Sequence, residues 1–219
     1  MSMRKDPLVS GEYYHIYNRS IAGFKIYNSA RDITRFIDAM IYFRSPKTNL
    51  NFSRFLDLSE KNRQNIITGQ DDLIVEIIAY CIMKTHFHII LRQNTDCGIS
   101  KYLGDIQNSY SRYFNTKYKR RGPLWESKFK NVRVESDEQL FHLTRYIHLN
   151  PTSSGLVENP ESWRWSSYHE YIKGKEDVCK YKEGVSISPQ EYQEFVEDRK
   201  DYHKEISKMK ALSIDNYSG

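Results

Sequence analysis

The 219-residue sequence predicts an α+β fold in which an antiparallel sheet carries helices on one face, and three observations predict it. Short runs rich in aromatic and β-branched residues alternate with two stretches whose apolar residues recur at three- and four-residue spacings. The order of these segments is strand, helix, strand, strand, helix, strand. A further capped helix follows the last strand.

The first strand is Glu12–Arg19, where Tyr13, Tyr14, His15, Ile16 and Tyr17 precede the breakers Ser20 and Gly23. Ile33, Phe36, Ile37, Met40 and Ile41 then place one apolar stripe on a helix over 32–43. Residues 44–72 are polar, with Pro46, Gly69 and a weak apolar patch at Phe52, Phe55, Leu56 and Leu58. They read as a surface insertion with no assigned structure. The runs 73–83 and 87–91, joined around Lys84 and Thr85, predict two neighbouring strands at the centre of the sheet. Ile99, Tyr102, Leu103, Ile106, Tyr110 and Tyr113 mark a second long helix over 99–114, with Ser100 as its expected cap. After a basic loop at 117–122, residues 124–134 alternate as a strand that turns its cations outward. Ser136 and Gln139 form a capping-box pattern ahead of Leu140, Leu143 and Ile147, and this helix is expected to end at Asn150-Pro151.

Such an order is that of a ferredoxin-like sheet with two helices on one face, and it leaves the other face for chemistry. Trp163, Trp165 and Tyr168 are expected to pack on the same body. The reading gives one domain over 1–172, with 44–72 inserted, and a charged, mobile C-terminal extension over 173–219.

Composition excludes several classes. Hydrophobic residues make up 39% and charged residues 28%, which supports a packed core. The net charge of +5 is modest, but Lys117, Lys119, Arg120 and Arg121 fall together, followed by Lys128, Lys130 and Arg133. Such clustering suggests a polyanionic partner, although a solvated charged face gives the same pattern. Cys81, Cys97 and Cys179 are odd in number and lack zinc-site spacing, so a reducing cytoplasm is expected rather than a disulfide framework. No apolar run suits a signal peptide or a membrane span. The 17 tyrosines exceed what a core needs, so some are expected to face a partner.

The chemistry centres on His86-Phe87-His88. In a strand the two imidazoles share one face, and neutral imidazole is a good ligand for divalent ions. A lone His-x-His is commonly two ordinary sheet histidines. On the downstream helix, Tyr146 and Asn150 stand one turn apart on the same face. The Asn150 amide oxygen is a candidate third ligand, and its hardness suits Mg²⁺ or Mn²⁺. Tyr146 is then placed to attack a phosphodiester polarised by the ion, although a helix tyrosine that only packs is the alternative. Tyr110, Tyr113 and Tyr118 are rival nucleophiles by their closeness to the basic loop.

Several ordered segments go beyond these fragments: Tyr13-Tyr14-His15-Ile16-Tyr17-Asn18-Arg19, His86-Phe87-His88, Gly122-Pro123-Leu124-Trp125-Glu126-Ser127-Lys128-Phe129-Lys130, Tyr146-Ile147-His148-Leu149-Asn150-Pro151 and Trp165-Ser166-Ser167-Tyr168. Over residues 11–172 this series resembles the REP-associated tyrosine transposases, single-tyrosine HUH nucleases related to small insertion-sequence transposases. The resemblance implies a divalent metal and cleavage of single-stranded DNA beside palindromic hairpins. It also implies Tyr146 as nucleophile and Asn150 as third ligand with His86 and His88. The longer 44–72 segment and the chain beyond residue 172 depart from the family pattern.

For DNA binding, Lys117, Lys119, Arg120, Arg121, Lys128 and Lys130 are the candidate phosphate contacts, Tyr118 and Trp125 the candidate stacking rings, and Arg19 a candidate for the scissile phosphate. Trp125 is equally a core candidate. Competing readings are a non-catalytic ferredoxin-like nucleic-acid-binding module and a hydrolytic metallonuclease that uses water. A monomer is expected, with a homodimer as the alternative.

Overall fold

The computed structural model describes residues 7–46, 50–69 and 72–199. Its elements are β1 (Tyr13–Arg19), α1 (Ala30–Phe43), α2 (Phe52–Asp57), α3 (Glu60–Thr68), β2 (Val75–Ile82), β3 (His86–Gln93), α4 (Gly98–Lys117), β4 (Lys130–Arg133), α5 (Asp137–Ser153), α6 (Tyr168–Lys173) and α7 (Pro189–Glu197). The strands form one antiparallel sheet in the order β2-β3-β1-β4. With α1 and α4 between them, this is the α+β, ferredoxin-like arrangement that the segment order predicts.

Strand alternation divides the sheet into two faces. Tyr14, Ile16, Phe87, Ile89 and Leu91 point to the face covered by α1 and α4, where they are fully buried with Phe36, Met40, Tyr102, Leu103 and Tyr110. Tyrosine is usable in this core because its hydroxyls find carbonyls: Tyr102 donates to Met40 O at 2.9 Å and Tyr110 to Ile26 O at 2.6 Å. Much of the tyrosine surplus therefore lies in the interior rather than on a partner surface.

The second face is not left free. α5 packs across β2 and β3 there, and α6 and α7 pack behind it. Helix α5 also runs through Pro151 to Ser153 instead of stopping at Asn150. Proline so close to the end forfeits a single backbone bond of the last turn, and the helix survives it. Ser136 accepts from Gln139 N as the capping pattern requires, but the Gln139 side chain accepts from Glu135 N rather than from Ser136 N.

Three other expectations shift. The described part of the 44–72 insertion carries two helices, α2 and α3, and α2 buries Phe52 and Phe55 against Tyr42, with ring centroids 5.0 and 5.1 Å away. Helix α4 begins at Gly98 with Cys97, not Ser100, at its cap; Cys97 is left-handed at φ 60°, and a Cβ on Gly98 would lie 2.4 Å from Ile74 O. Only Lys130–Arg133 of the long strand expected over 124–134 is regular, with Trp125 making a single bridge to Ser20.

The stretch after residue 172, expected as an appended extension, packs on the body up to residue 199. Cys179, Tyr181, Val185, Tyr192 and Val196 are buried, and Phe195 stacks on Phe141 with centroids 3.9 Å apart. A polar chain inside the seam joins α5 to both neighbours. His148 Nδ1 lies 2.7 Å from the Tyr192 hydroxyl and His148 Nε2 lies 2.7 Å from Ser167 Oγ, while Tyr192 donates to Thr144 Oγ1 at 2.9 Å. The expectation for residues 200–219 falls outside the described residues.

Candidate active site

The site grows from one strand pair. The β1–β3 register sets Tyr17 opposite His88 and Arg19 opposite His86, so all four side chains share the face under α5. Lys130 of β4 pairs with Tyr17 and joins the same face. Because β1 lies beside β3, His15 reaches diagonally to His88. The two rings meet edge to edge, with centroids 5.1 Å apart, planes inclined by 22° and His15 Nε2 2.9 Å from His88 Nδ1.

Tyr146 closes the site from α5. Its ring stands edge-on to His88 at 6.0 Å and to His15 at 6.3 Å. Asn150, one turn on, donates from Nδ2 to the Tyr146 carbonyl at 3.0 Å. Burial pushes the Tyr146 phenol up, and a hydrogen bond with Asn150 partly offsets that. The rival Tyr110 is buried on the opposite face, and Tyr113 and Tyr118 bond Asp32 on the side of α1. Of the four candidate nucleophiles, Tyr146 is the one beside the histidines.

The donor set fits a divalent ion. Burial, then the neighbouring Arg19 charge, lowers His86 to about 4, and burial with the adjacent His15 and His86 holds His88 well below the ordinary value. Both rings are therefore neutral near pH 7, as ligands must be. Their centroids are 5.1 Å apart. Among the described residues no group of three His, Cys, Asp or Glu is arranged to hold a metal, so a site here needs the two imidazoles together with an oxygen such as the Asn150 amide.

The candidate DNA residues divide. Lys119, Arg121, Lys128 and Lys130 are exposed. Lys117 is committed elsewhere: its Nζ lies 2.6 Å from Oδ1 of the fully buried Asp32, which neutralises the charge expected to face phosphate. Tyr118 is 39% exposed but donates its hydroxyl to Asp32 at 2.8 Å. The Arg120 guanidinium sits 5.7 Å from the centroid of Phe24, an exposed ring absent from the sequence reading. Trp125 is partly buried: it packs 5.6 Å from Phe87 on the core side and donates to Gln107 O at 3.3 Å, which favours the core alternative for this ring. Arg19 is at the rim of the histidine face as expected, held by both carboxylate oxygens of Glu126.

Sequence reasoning passed over His15, Tyr17 and Glu126. Alternation alone put His15, Tyr17 and Arg19 on one face. Only the strand order reveals that this face adjoins His86 and His88.

Residues 55–150 match the family model described as "Transposase IS200 like". The chain also resembles REP-associated tyrosine transposases. The chain is 26% identical over 111 residues to a candidate REP-associated tyrosine transposase of Haemophilus influenzae, covering 46% of this chain and 62% of that protein. It is 25% identical over 109 residues to the REP-associated tyrosine transposase of Escherichia coli strain K12, covering 49% and 62%. The matches thus span less than two thirds of these curated relatives' length. A solved structure of a REP-associated tyrosine transposase bound to a REP hairpin shares the fold, with a TM-score of 0.56 at 15% identity over 86% of this chain and 96% of that one. Among the described residues no helix is long and apolar enough to cross a membrane.

Proposed function

We propose that the protein is a hairpin-directed endonuclease and strand transferase for single-stranded DNA that uses Tyr146 as nucleophile, acting as a transposase or a domesticated descendant of one. The observation that carries the reading is the meeting of Tyr146 with His88, which in turn adjoins His86, across two elements, with Asn150 one turn on and bonded to the Tyr146 carbonyl. Similarity to REP-associated tyrosine transposases, one of them bound to a REP hairpin, supports the substrate class.

His86, His88 and Asn150 are the residues that would hold Mg²⁺ or Mn²⁺. When bound, such an ion supplies Lewis-acid stabilisation of charge on the phosphate oxygens. The protein's share is the nucleophile and its placement. Tyr146 Oη loses its proton and attacks phosphorus; the bond from phosphorus to the 3′-oxygen breaks, and that oxygen takes up a proton. The products are a 5′-phosphotyrosine and a free 3′-hydroxyl, and the reverse attack by a 3′-hydroxyl reseals a strand without ATP. Because burial raises the phenol, the hydrogen bond with Asn150 has a direct use: it favours the phenolate.

The test uses labelled single strands containing a hairpin, with Mg²⁺ or Mn²⁺, resolved on a denaturing gel. A covalent protein–DNA adduct is expected from the wild type and none from Tyr146→Phe. Cleavage that persists unchanged in the variant, without adduct, would instead indicate attack by water. Binding with neither cleavage nor adduct would indicate a non-catalytic module.

A further inference from the structure

We propose that His15 is a positioning residue for the metal site: it accepts a hydrogen bond from His88 Nδ1–H and so fixes the His88 ring with its Nε2 lone pair available to the ion. The inference rests on the reading of His86, His88 and Asn150 as ligands and adds a residue which that reading does not contain.

The argument is one of proton counting. A neutral imidazole carries one N–H, and a hydrogen bond between two ring nitrogens needs one donor and one acceptor. His15 Nε2 and His88 Nδ1 are 2.9 Å apart, so one of them holds the proton. If His15 donates, the His88 proton sits on Nε2; Nδ1 is then taken up by the bond, and His88 has no lone pair left for a metal. If His88 donates, Nε2 is unprotonated and free. Only the second arrangement makes His88 a ligand, and it makes His15 the acceptor.

The neighbouring ligand is held in the same way. His86 Nδ1 lies 3.0 Å from Thr85 Oγ1, whose lone pairs can accept from it. Neither His86 Nε2 nor His88 Nε2 has a hydrogen-bond partner among the described residues. Metal-bound histidines ordinarily donate their second N–H to an oxygen acceptor, which fixes tautomer and ring direction. Here no carboxylate serves His88, and the acceptor is a third imidazole met edge to edge, its plane inclined by 22° to that of His88. His15 itself is not a further ligand. Its Nε2 is engaged by His88, and His15, His86 and His88 do not form a three-histidine metal group.

Two variants and a spectroscopic measurement test this. His15→Phe keeps an aromatic ring but offers no acceptor; His15→Gln offers an amide oxygen. Mn²⁺ affinity is measured by calorimetry without DNA, with thermal unfolding recorded alongside. His15→Phe is expected to bind Mn²⁺ about 10- to 100-fold more weakly, the usual effect of losing such a partner, and His15→Gln to recover most of the loss. Long-range ¹H–¹⁵N correlation spectra of wild-type protein should show His88 protonated at Nδ1, a readout that needs no variant to fold. A His15→Phe protein that binds Mn²⁺ as tightly as wild type, an equal loss in His15→Gln, or a His88 protonated at Nε2 overturns the inference and leaves the metal reading standing. Failure of wild type to bind either Mn²⁺ or Mg²⁺ overturns both.

Discussion

Single residues in this molecule often have a role opposite to the one their type suggests. Lys117 belongs to a basic run, yet it neutralises Asp32, a carboxylate with no exposed side-chain surface that also accepts from Tyr113 and Tyr118. Burial alone would raise that carboxyl. The hydrogen bonds from Lys117, Tyr118, Ser29 and Tyr113 outweigh it and hold the group at about 2, below its ordinary 3.8. A carboxylate with a depressed folded-state value contributes stability that is present above pH 4 and is lost as pH falls toward 2. The shift corresponds to a contribution on the order of 2 kcal/mol. Urea unfolding of wild type at pH 5 and at pH 2 should therefore differ by about that much more than the same pair of measurements on Asp32→Asn. Equal pH responses of the two proteins would show that Asp32 is not the titrating group. Lys117→Ala should likewise lower stability more than DNA affinity, because its charge is already paired inside the fold.

At the level of elements, the tyrosine helix owes its seat to a partner that its own sequence does not announce. His148 Nδ1 donates to the Tyr192 hydroxyl, which has given its proton to Thr144, and this leaves Nε2 to accept from Ser167. Tyr192→Phe removes one oxygen and strands the His148 Nδ1–H in a buried seam, while Thr144 Oγ1 keeps its bond to Phe141 O, at a cost of about 1–3 kcal/mol. Chemical denaturation should register that loss, and hydrogen exchange should place it in faster opening of α5 amides; an unchanged stability would mean the seam admits water. The same elements show what sequence reading reaches. Periodicity found β1, α1, β2, β3, α4 and α5 because each buries a stripe of its own. It overlooked α7, where Ser188, Pro189 and Glu191 give a full N-terminal signature but the surrounding charge hides Tyr192, Phe195 and Val196. Of the candidate site, the placement of His86, His88, Tyr146 and Asn150 near one another was legible from spacing and resemblance. His15 was not, because its role exists only where β1 and β3 are neighbours, a fact of topology that no local window contains. The two readings of Trp125, stacking ring or core, stay open in the sequence for a related reason: which side of the sheet an irregular segment takes is decided by tertiary packing.

At the scale of the whole molecule, the proposed function assigns binding and chemistry to different ground, and the two should then separate. The histidine face is a half-buried pocket of neutral imidazoles under α5, whereas the exposed cations Lys119, Arg121 and Lys128 lie on the segments leading from α4 to β4. Polyanion affinity arises mainly from phosphate contacts, and each one lost lowers the slope of log affinity against log salt by about 1. Lys119→Ala together with Arg121→Ala should weaken hairpin binding at all salt concentrations and flatten that slope by about 2 if both touch phosphate. DNA that still binds, at saturating protein, should be cleaved at the wild-type rate. His86→Ala should do the reverse, abolishing cleavage while titrations by fluorescence anisotropy give a near-native dissociation constant and an unaltered slope. The comparison is informative because Arg19 stands between the two regions, opposite His86 yet paired with Glu126. Release of Arg19 from that carboxylate by Glu126→Gln should tighten binding if the guanidinium meets the scissile phosphate. A Glu126→Gln protein with unchanged affinity would confine DNA recognition to the α4–β4 surface and leave the histidine pocket to chemistry alone.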